Sequence, residues 1–303
     1  MKKNTIKKVI ASKLEEWLDT ITDLELRNDL RNKILVSGGC ISSMFMNEPV
    51  NDYDVYLSDI DIVKRVAKYY TRGVNSIEIL DGREKDKIIE KFMLSYQNES
   101  IYQIDNQAAT SIRNLKEDQI KLKIDGGGGY RVKDNNPELK YQPAYFSPNA
   151  ISLTDNLQIV LRFYGDHTQV HKTFDFVHAT NYFTFSDGLV TNINAVESIL
   201  TKTLIYQGSL YPLTSIIRSK KFIKRGFSIS AGEYLKIMYQ ISKLDLDNMD
   251  ILEEQLIGVD VAYFDILITS LRSHLSKHPK FEMTAEYLNN IIEKVFNGAS
   301  EDE

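Results

Sequence analysis

Residues 36–57 read VSGGCISSMFMNEPVNDYDVYL, and the fold turns on them. The run KILVSGG, residues 33–39, is short, apolar and stopped by two glycines, the pattern of a buried strand ending in a tight turn. CISSMFMNE continues as a helix that Pro49 ends. NDYDVYL then alternates polar and apolar positions, as a second strand does. Residues two apart in a strand share a face, so Asp52 and Asp54 present two carboxylates side by side. Hard oxygen donors of this kind suit Mg²⁺. Gly38 and Gly39 let backbone approach a phosphate with no side chain in the way. A helix beginning just beyond them aims its N–H groups at the same place, and Ser42 and Ser43 add hydroxyls. Alone, Asp-x-Asp or Gly-Gly is a common turn. Joined on strand, turn, helix and strand, they point to metal-assisted phosphoryl transfer.

Working outward, residues 5–32 read as helical, with Ile6, Val9, Ile10, Leu14, Trp17, Leu18 and Ile21 at three- and four-residue spacing. Ser58 is placed to cap a helix over 59–71, which leaves Asp59 and Asp61 facing solvent. SIEIL and IKLKI read as strands. The glycine run of DGGGGYRV (125–132) reads as a hairpin tip or lid, because no helical pattern follows it as a phosphate loop requires. LQIVLRF (157–163) and KTFDFVHATNYFTF (172–185) read as two further strands, with GDHTQVHK between them a short helix starting near Asp166 or Thr168. From about residue 192 the periodicity is helical, over 194–206, 211–225, 231–243, 248–257, 260–277 and 283–297. The expected class is α+β: a head over 1–190, with an insertion at about 58–156, then an all-helical neck and body over 191–303.

Composition narrows the function. The 303 residues carry a net charge of −5, which argues against a protein that coats nucleic acid. No apolar run approaches the roughly 18–20 residues that span a bilayer, so no membrane partner is expected. The basic start MKKNTIKKVI has no apolar stretch behind it, and Cys40 is the one cysteine; both fit a reducing cytoplasm. Lys202, Arg218, Lys220, Lys221, Lys224 and Arg225 form a basic stretch. Arg218 and Lys221 are three apart and share a helix face. They are expected to face the aspartate cleft and hold phosphates or an acceptor backbone, with Leu213, Ile217 and Phe222 anchoring the helix; a solvated face explains them as well. His167, His171 and His178 read as ordinary polar contacts, since no carboxylate spacing completes a zinc set.

The stretch 36–57 resembles the head motif of the DNA polymerase β-like nucleotidyltransferase superfamily, in the form seen in class II tRNA nucleotidyltransferases and bacterial poly(A) polymerases. That motif reads Gly-Gly, about a dozen residues, then Asp-x-Asp. TFDFVHATNYFTFSDGLV (173–190) looks like the family's ribose-side stretch, which puts Asp175 and Asn181 near its Asp and Asn. YPLTSIIRSKKFIKRGFSIS (211–230) looks like the stretch that opens its helical neck. LQIVLRFYG…HKTFDFVHATNYF is also similar to nucleotidyltransferase-like proteins of tailed bacteriophages, so a host cytoplasm is the implied compartment if the chain is viral. The resemblance implies a mixed-sheet nucleotidyltransferase head and an enzyme that moves a nucleoside monophosphate from a nucleoside triphosphate to a hydroxyl. The acceptor would be an RNA 3′ end, a protein or a small molecule. It implies Mg²⁺ or Mn²⁺ on Asp52, Asp54 and Asp175, with Gly38, Gly39, Ser42, Ser43, Asn181, Arg218 and Lys221 on the nucleotide. Asp175 is expected on a neighbouring strand, aimed at the same pocket. Three departures stand out: Ser42-Ser43 replaces an Arg-Asp, Thr173-Phe174 replaces an Arg-Arg, and LQIVLRF offers Gln158 where the family carries its third acid. They favour a competing reading, a catalytically degenerate fold kept as a binding or virion-associated module.

Overall fold

The computed structural model describes residues 1–95, 101, 109, 112–126, 128–246 and 248–255, with 286, 289 and 290. The sequence segments 260–277 and 283–297 therefore lie outside the described residues, three positions of the latter apart. The chain divides into two compact units, Met1–Gln207 and Gly208–Glu303. That division falls beyond residue 190, because the helix Ile193–Thr201 packs against the turn Val177–Ala179 and belongs with the head.

The first unit opens with α1 (Lys3–Thr20), whose buried stripe is Ile6, Ile10, Leu14, Trp17 and Leu18. The helical stretch 5–32 is broken after α1, because the Asp23 side chain accepts from Leu26 N–H and starts α2 (Leu24–Lys33). Then come β1 (Ile34–Ser37), α3 (Gly39–Met46) and β2 (Tyr53–Leu57). The left-handed Asn47, at φ 56°, closes α3. Next is α4 (Ile60–Tyr70), capped by Asp59 rather than Ser58. Asp59 also pairs with Lys33 and Asp61 with Arg83.

The insertion supplies β3 (Ile77–Asp81), α5 (Lys85–Ser95), β4 (Ile120–Ile124), β5 (Tyr130–Arg131), β6 (Pro143–Ser147) and β7 (Ala150–Leu153). It is followed by β8 (Leu157–Tyr164), and later by β9 (Tyr182–Thr184) and β10 (Gly188–Val190). Eight strands form one sheet in the order β10-β9-β1-β2-β8-β7-β6-β5. It is mixed: β2 and β8 run parallel, and the other pairs run antiparallel. Strands β3 and β4 pair separately. The glycine run is therefore no hairpin tip; it carries the chain from β4 of the small sheet to β5 at the edge of the large one. One face of the large sheet buries Val36, Val55, Leu57, Ile151, Ile159 and Leu161 against α1, α3 and α4.

In the second unit, helix Pro212–Lys224 carries Arg218, half-buried, and Lys221, exposed. Its buried stripe is Thr214, Ser215 and Ser219 rather than Leu213, Ile217 and Phe222. The Thr214 hydroxyl donates to the Gln255 carbonyl, and Gln255 Nε2 donates to Leu210 O at 3.0 Å, so polar contacts fix this helix where apolar anchors were expected.

Candidate functional site

Strand β1 is buried at every position and pairs antiparallel with β2, Val36 opposite Val55. Because Tyr53, Val55 and Leu57 turn to the core, Asp54 and Tyr56 project from the other face. Gly38 follows β1 with φ 96° and ψ −150°, a region essentially reserved for glycine. A Cβ placed there would stand 3.4 Å from Asp54 Oδ2 and 4.0 Å from the Phe174 ring, so the carboxylate lies against the turn. At Gly39 a Cβ would meet nothing within 4 Å, and the start of α3 is open on that side. Asp52 is exposed and immediately precedes β2. Burial, then the charge of Asp54, pushes the Cys40 thiol far up.

Residues 172–181 close over this turn. They do not form the strand that their alternation suggests. Phe176 makes one isolated antiparallel bridge with Tyr206, and Val177–Ala179 is a single 3-10 turn. The reason is where the carbonyls go. Ala179 O accepts from Gly38 N–H at 3.1 Å, His178 O from the Ser42 hydroxyl at 2.7 Å, and Asn181 O from the Ser37 hydroxyl at 2.8 Å. The segment thus latches the glycine turn instead of extending a ladder, and it brings the two sequence motifs into contact. Ser42 and Ser43 are both buried, and the Ser42 hydroxyl is committed to that latch. Asn181 is fully buried and its Oδ1 accepts from Asn192 N–H, tying β9 to the next helix.

Asp175 does not lie on a neighbouring strand. It is buried in the bend before Phe176, and its carbonyl accepts from Gln207 N–H at 3.1 Å. The strand beside β2 is β8, and the residue in register with Asp54 is Gln158, whose Nε2 donates to Ser152 Oγ at 3.2 Å. Among the described residues no three His, Cys, Asp or Glu side chains form a group that could hold a metal ion. Two carboxylates still fit one Mg²⁺, which is commonly held by one or two carboxylates plus substrate phosphates.

His167 and His171, expected to make ordinary polar contacts, border the turn. His171 Nε2 is 2.9 Å from Ser37 Oγ, and its ring lies against Phe174 and Tyr182. His167 stacks on Tyr182, centroids 4.3 Å apart and planes 11° apart. The available signal was the four-residue spacing of the two histidines behind the Asp166 capping box. Burial, then the charge of His167, pushes His171 down to about 4. An unfolded imidazole titrates near 6.5, so between those values the unfolded chain binds the extra proton. This contribution to stability is complete above about pH 6.5 and is lost as pH falls toward 4. Denaturant midpoints are expected to drop across that window, and His171→Gln is expected to flatten the drop. An unchanged slope in the variant would place the titration elsewhere.

Fold and site define a mixed α/β protein that sets an Asp-x-Asp strand against a strand–glycine–helix turn. A family model described as "Gabija anti-defense 2 family protein" matches residues 8–202, and the chain belongs to that family. It is similar to "Gabija anti-defense 2" of Bacillus phage SPbetaL7, with 20% identity over 276 residues, covering 88% of this chain and 54% of the phage protein. The chain thus spans about half the length of that curated relative. Similar solved structures include the Thermotoga maritima CCA-adding enzyme complexed with tRNA-CCA, at 12% identity and TM-score 0.37, covering 94% of this chain and 60% of that one. A CCA-adding enzyme in complex with ATP matches at 11% identity and TM-score 0.40, covering 96% and 58%. The Bacillus stearothermophilus CCA-adding enzyme in complex with CTP matches at 9% and 0.34, covering 78% and 47%. Among the described residues, no helix is long and apolar enough to cross a membrane.

Proposed function

We propose that this chain is a divalent-metal-dependent nucleotidyltransferase of the polymerase β-like kind, working in the host cytoplasm as part of a phage's counter to the defence that its relative's name specifies. The observation that carries the proposal is the Asp54 carboxylate set against Gly38, next to Gly39, where the start of α3 is open. Asp52 and Asp54 would hold Mg²⁺ or Mn²⁺, which when bound offsets triphosphate charge and acidifies an acceptor hydroxyl. Gly39 leaves room for a phosphate beside the helix N-terminus, where N–H groups favour an anion. The acceptor oxygen bonds to the α-phosphorus, the α–β bridge breaks, pyrophosphate leaves, and the hydroxyl proton passes to solvent. A thermal-shift series with each nucleoside triphosphate, with and without Mg²⁺, tests this. Stabilisation that needs both supports it, and no shift with any of the four overturns it.

The degenerate-module reading has its own support: Gln158, an amide, stands beside Asp54. Gln158→Glu separates the two. In an enzyme that uses Asp52 and Asp54, a third carboxylate on the adjoining strand is expected to tighten Mn²⁺ binding by about tenfold. Mn²⁺ titration followed by electron paramagnetic resonance reads this directly. Equal and negligible binding by both proteins favours the degenerate module.

A further inference from the structure

The large sheet carries a feature that the chemistry above leaves unused. Register partners place Asp54, Gln158, Ser152, Tyr145 and Arg131 side by side across β2, β8, β7, β6 and β5. Their strand neighbours Val55, Ile159, Ile151 and Phe146 are fully buried in the core, so the row occupies the opposite face. Contacts within the row agree. Gln158 Nε2 donates to Ser152 Oγ, and the Arg131 guanidinium stands 5.8 Å from the centre of the Tyr145 ring. Gln158, Ser152 and Tyr145 are half-buried and Arg131 is exposed. The glycine run ends at the same place. A Cβ at Gly129 would fall 1.8 Å from the Tyr145 hydroxyl, so the backbone there lies against the end of that side chain, and Gly126 and Gly128 take φ of 85° and 67° on the way.

At ordinary strand spacing the row is roughly 19 Å long, which calls for an extended ligand rather than a compact one. It offers an amide, a hydroxyl, an aromatic ring and a guanidinium. An aromatic ring beside an exposed cation suits a stacked base and its phosphate. An extended polypeptide would instead seek the backbone of a sheet edge, and β5 at that edge is two residues long. We infer that this row is the track for a short single-stranded nucleic acid whose 3′ hydroxyl ends at Asp54, with a base on Tyr145 and a phosphate on Arg131. The inference rests on the nucleotidyl-transfer reading. It assigns the acceptor to the inserted strands β5–β7 and to β8.

The test is fluorescence anisotropy of the whole chain with an end-labelled single-stranded RNA of about ten nucleotides, at several salt concentrations. Arg131→Ala/Tyr145→Ala is expected to weaken binding by at least about tenfold and to flatten its salt dependence. Should that variant lose its fold by circular dichroism, two milder changes decide. Arg131→Gln is expected to lose the salt-dependent part, and Tyr145→Leu to weaken the salt-independent part. Wild-type protein that binds no RNA, variants that bind as tightly as wild type, or nucleotide label that ends on protein each overturn the track. The thermal shift of wild-type protein by Mg²⁺ and nucleoside triphosphate reports the underlying reading separately. A shift without RNA binding removes the track alone, and neither signal removes both.

Discussion

Asp52→Asn/Asp54→Asn is expected to abolish the Mg²⁺-dependent stabilisation by nucleoside triphosphate and to lower nucleotidyl transfer at least about 10³-fold, the scale reached when charge stabilisation at a transferring phosphoryl group is removed. The fold should survive. Asp52 is exposed and Asp54 half-buried, and asparagine keeps their size. Comparable denaturant midpoints with lost nucleotide binding are therefore expected, and calorimetric titration with each triphosphate checks it. A midpoint that collapses alongside binding would mean that the carboxylates hold the turn together rather than a metal.

Gly38→Ala is the second large effect, and it acts on the same place from the backbone. At φ 96° and ψ −150° a side chain costs about 1–3 kcal/mol. The new methyl would meet Asp54 Oδ2 at 3.4 Å, an ordinary van der Waals contact, so the backbone conformation sets the cost. Chemical denaturation should register the lost stability, and nucleotide affinity should fall with it. Gly39→Ala is the control, since nothing lies within 4 Å of its Cβ. Equal stability losses at both positions would contradict the conformational argument.

What could be read from the sequence divides along a physical line. Strand, glycine turn, helix and second strand over 34–57 were legible, because periodicity and Gly/Pro punctuation are local signals. So were the strand Leu157–Tyr164 and the helices Ala231–Ile241 and Met249–Gln255, each within a few residues. Pairing was not legible. Nothing local in LQIVLRF says that it runs parallel to β2 or sets Gln158 opposite Asp54. KTFDFVHATNYFTF is a strand only over Tyr182–Thr184, and its earlier part departs from the expected strand for the same reason. Its alternation mimics a strand, but its carbonyls serve Ser37, Gly38 and Ser42 from more than a hundred residues away. Asp175 consequently lies in a bend rather than on a strand. The glycine run looked like a hairpin tip because the partners of β4 and β5 are set by tertiary contacts. His171 makes the polar contact expected of it, but that its partner is Ser37 was not legible, because Ser37 is likewise remote in sequence.

Release of pyrophosphate is the most direct measurement of the central claim. The whole chain is incubated with Mg²⁺, each nucleoside triphosphate in turn, and a mixture of host RNA and protein as acceptor. Pyrophosphate formation that requires both metal and acceptor, and that disappears in Asp52→Asn/Asp54→Asn, is expected. No release with any triphosphate, or equal release from the double variant, would contradict it.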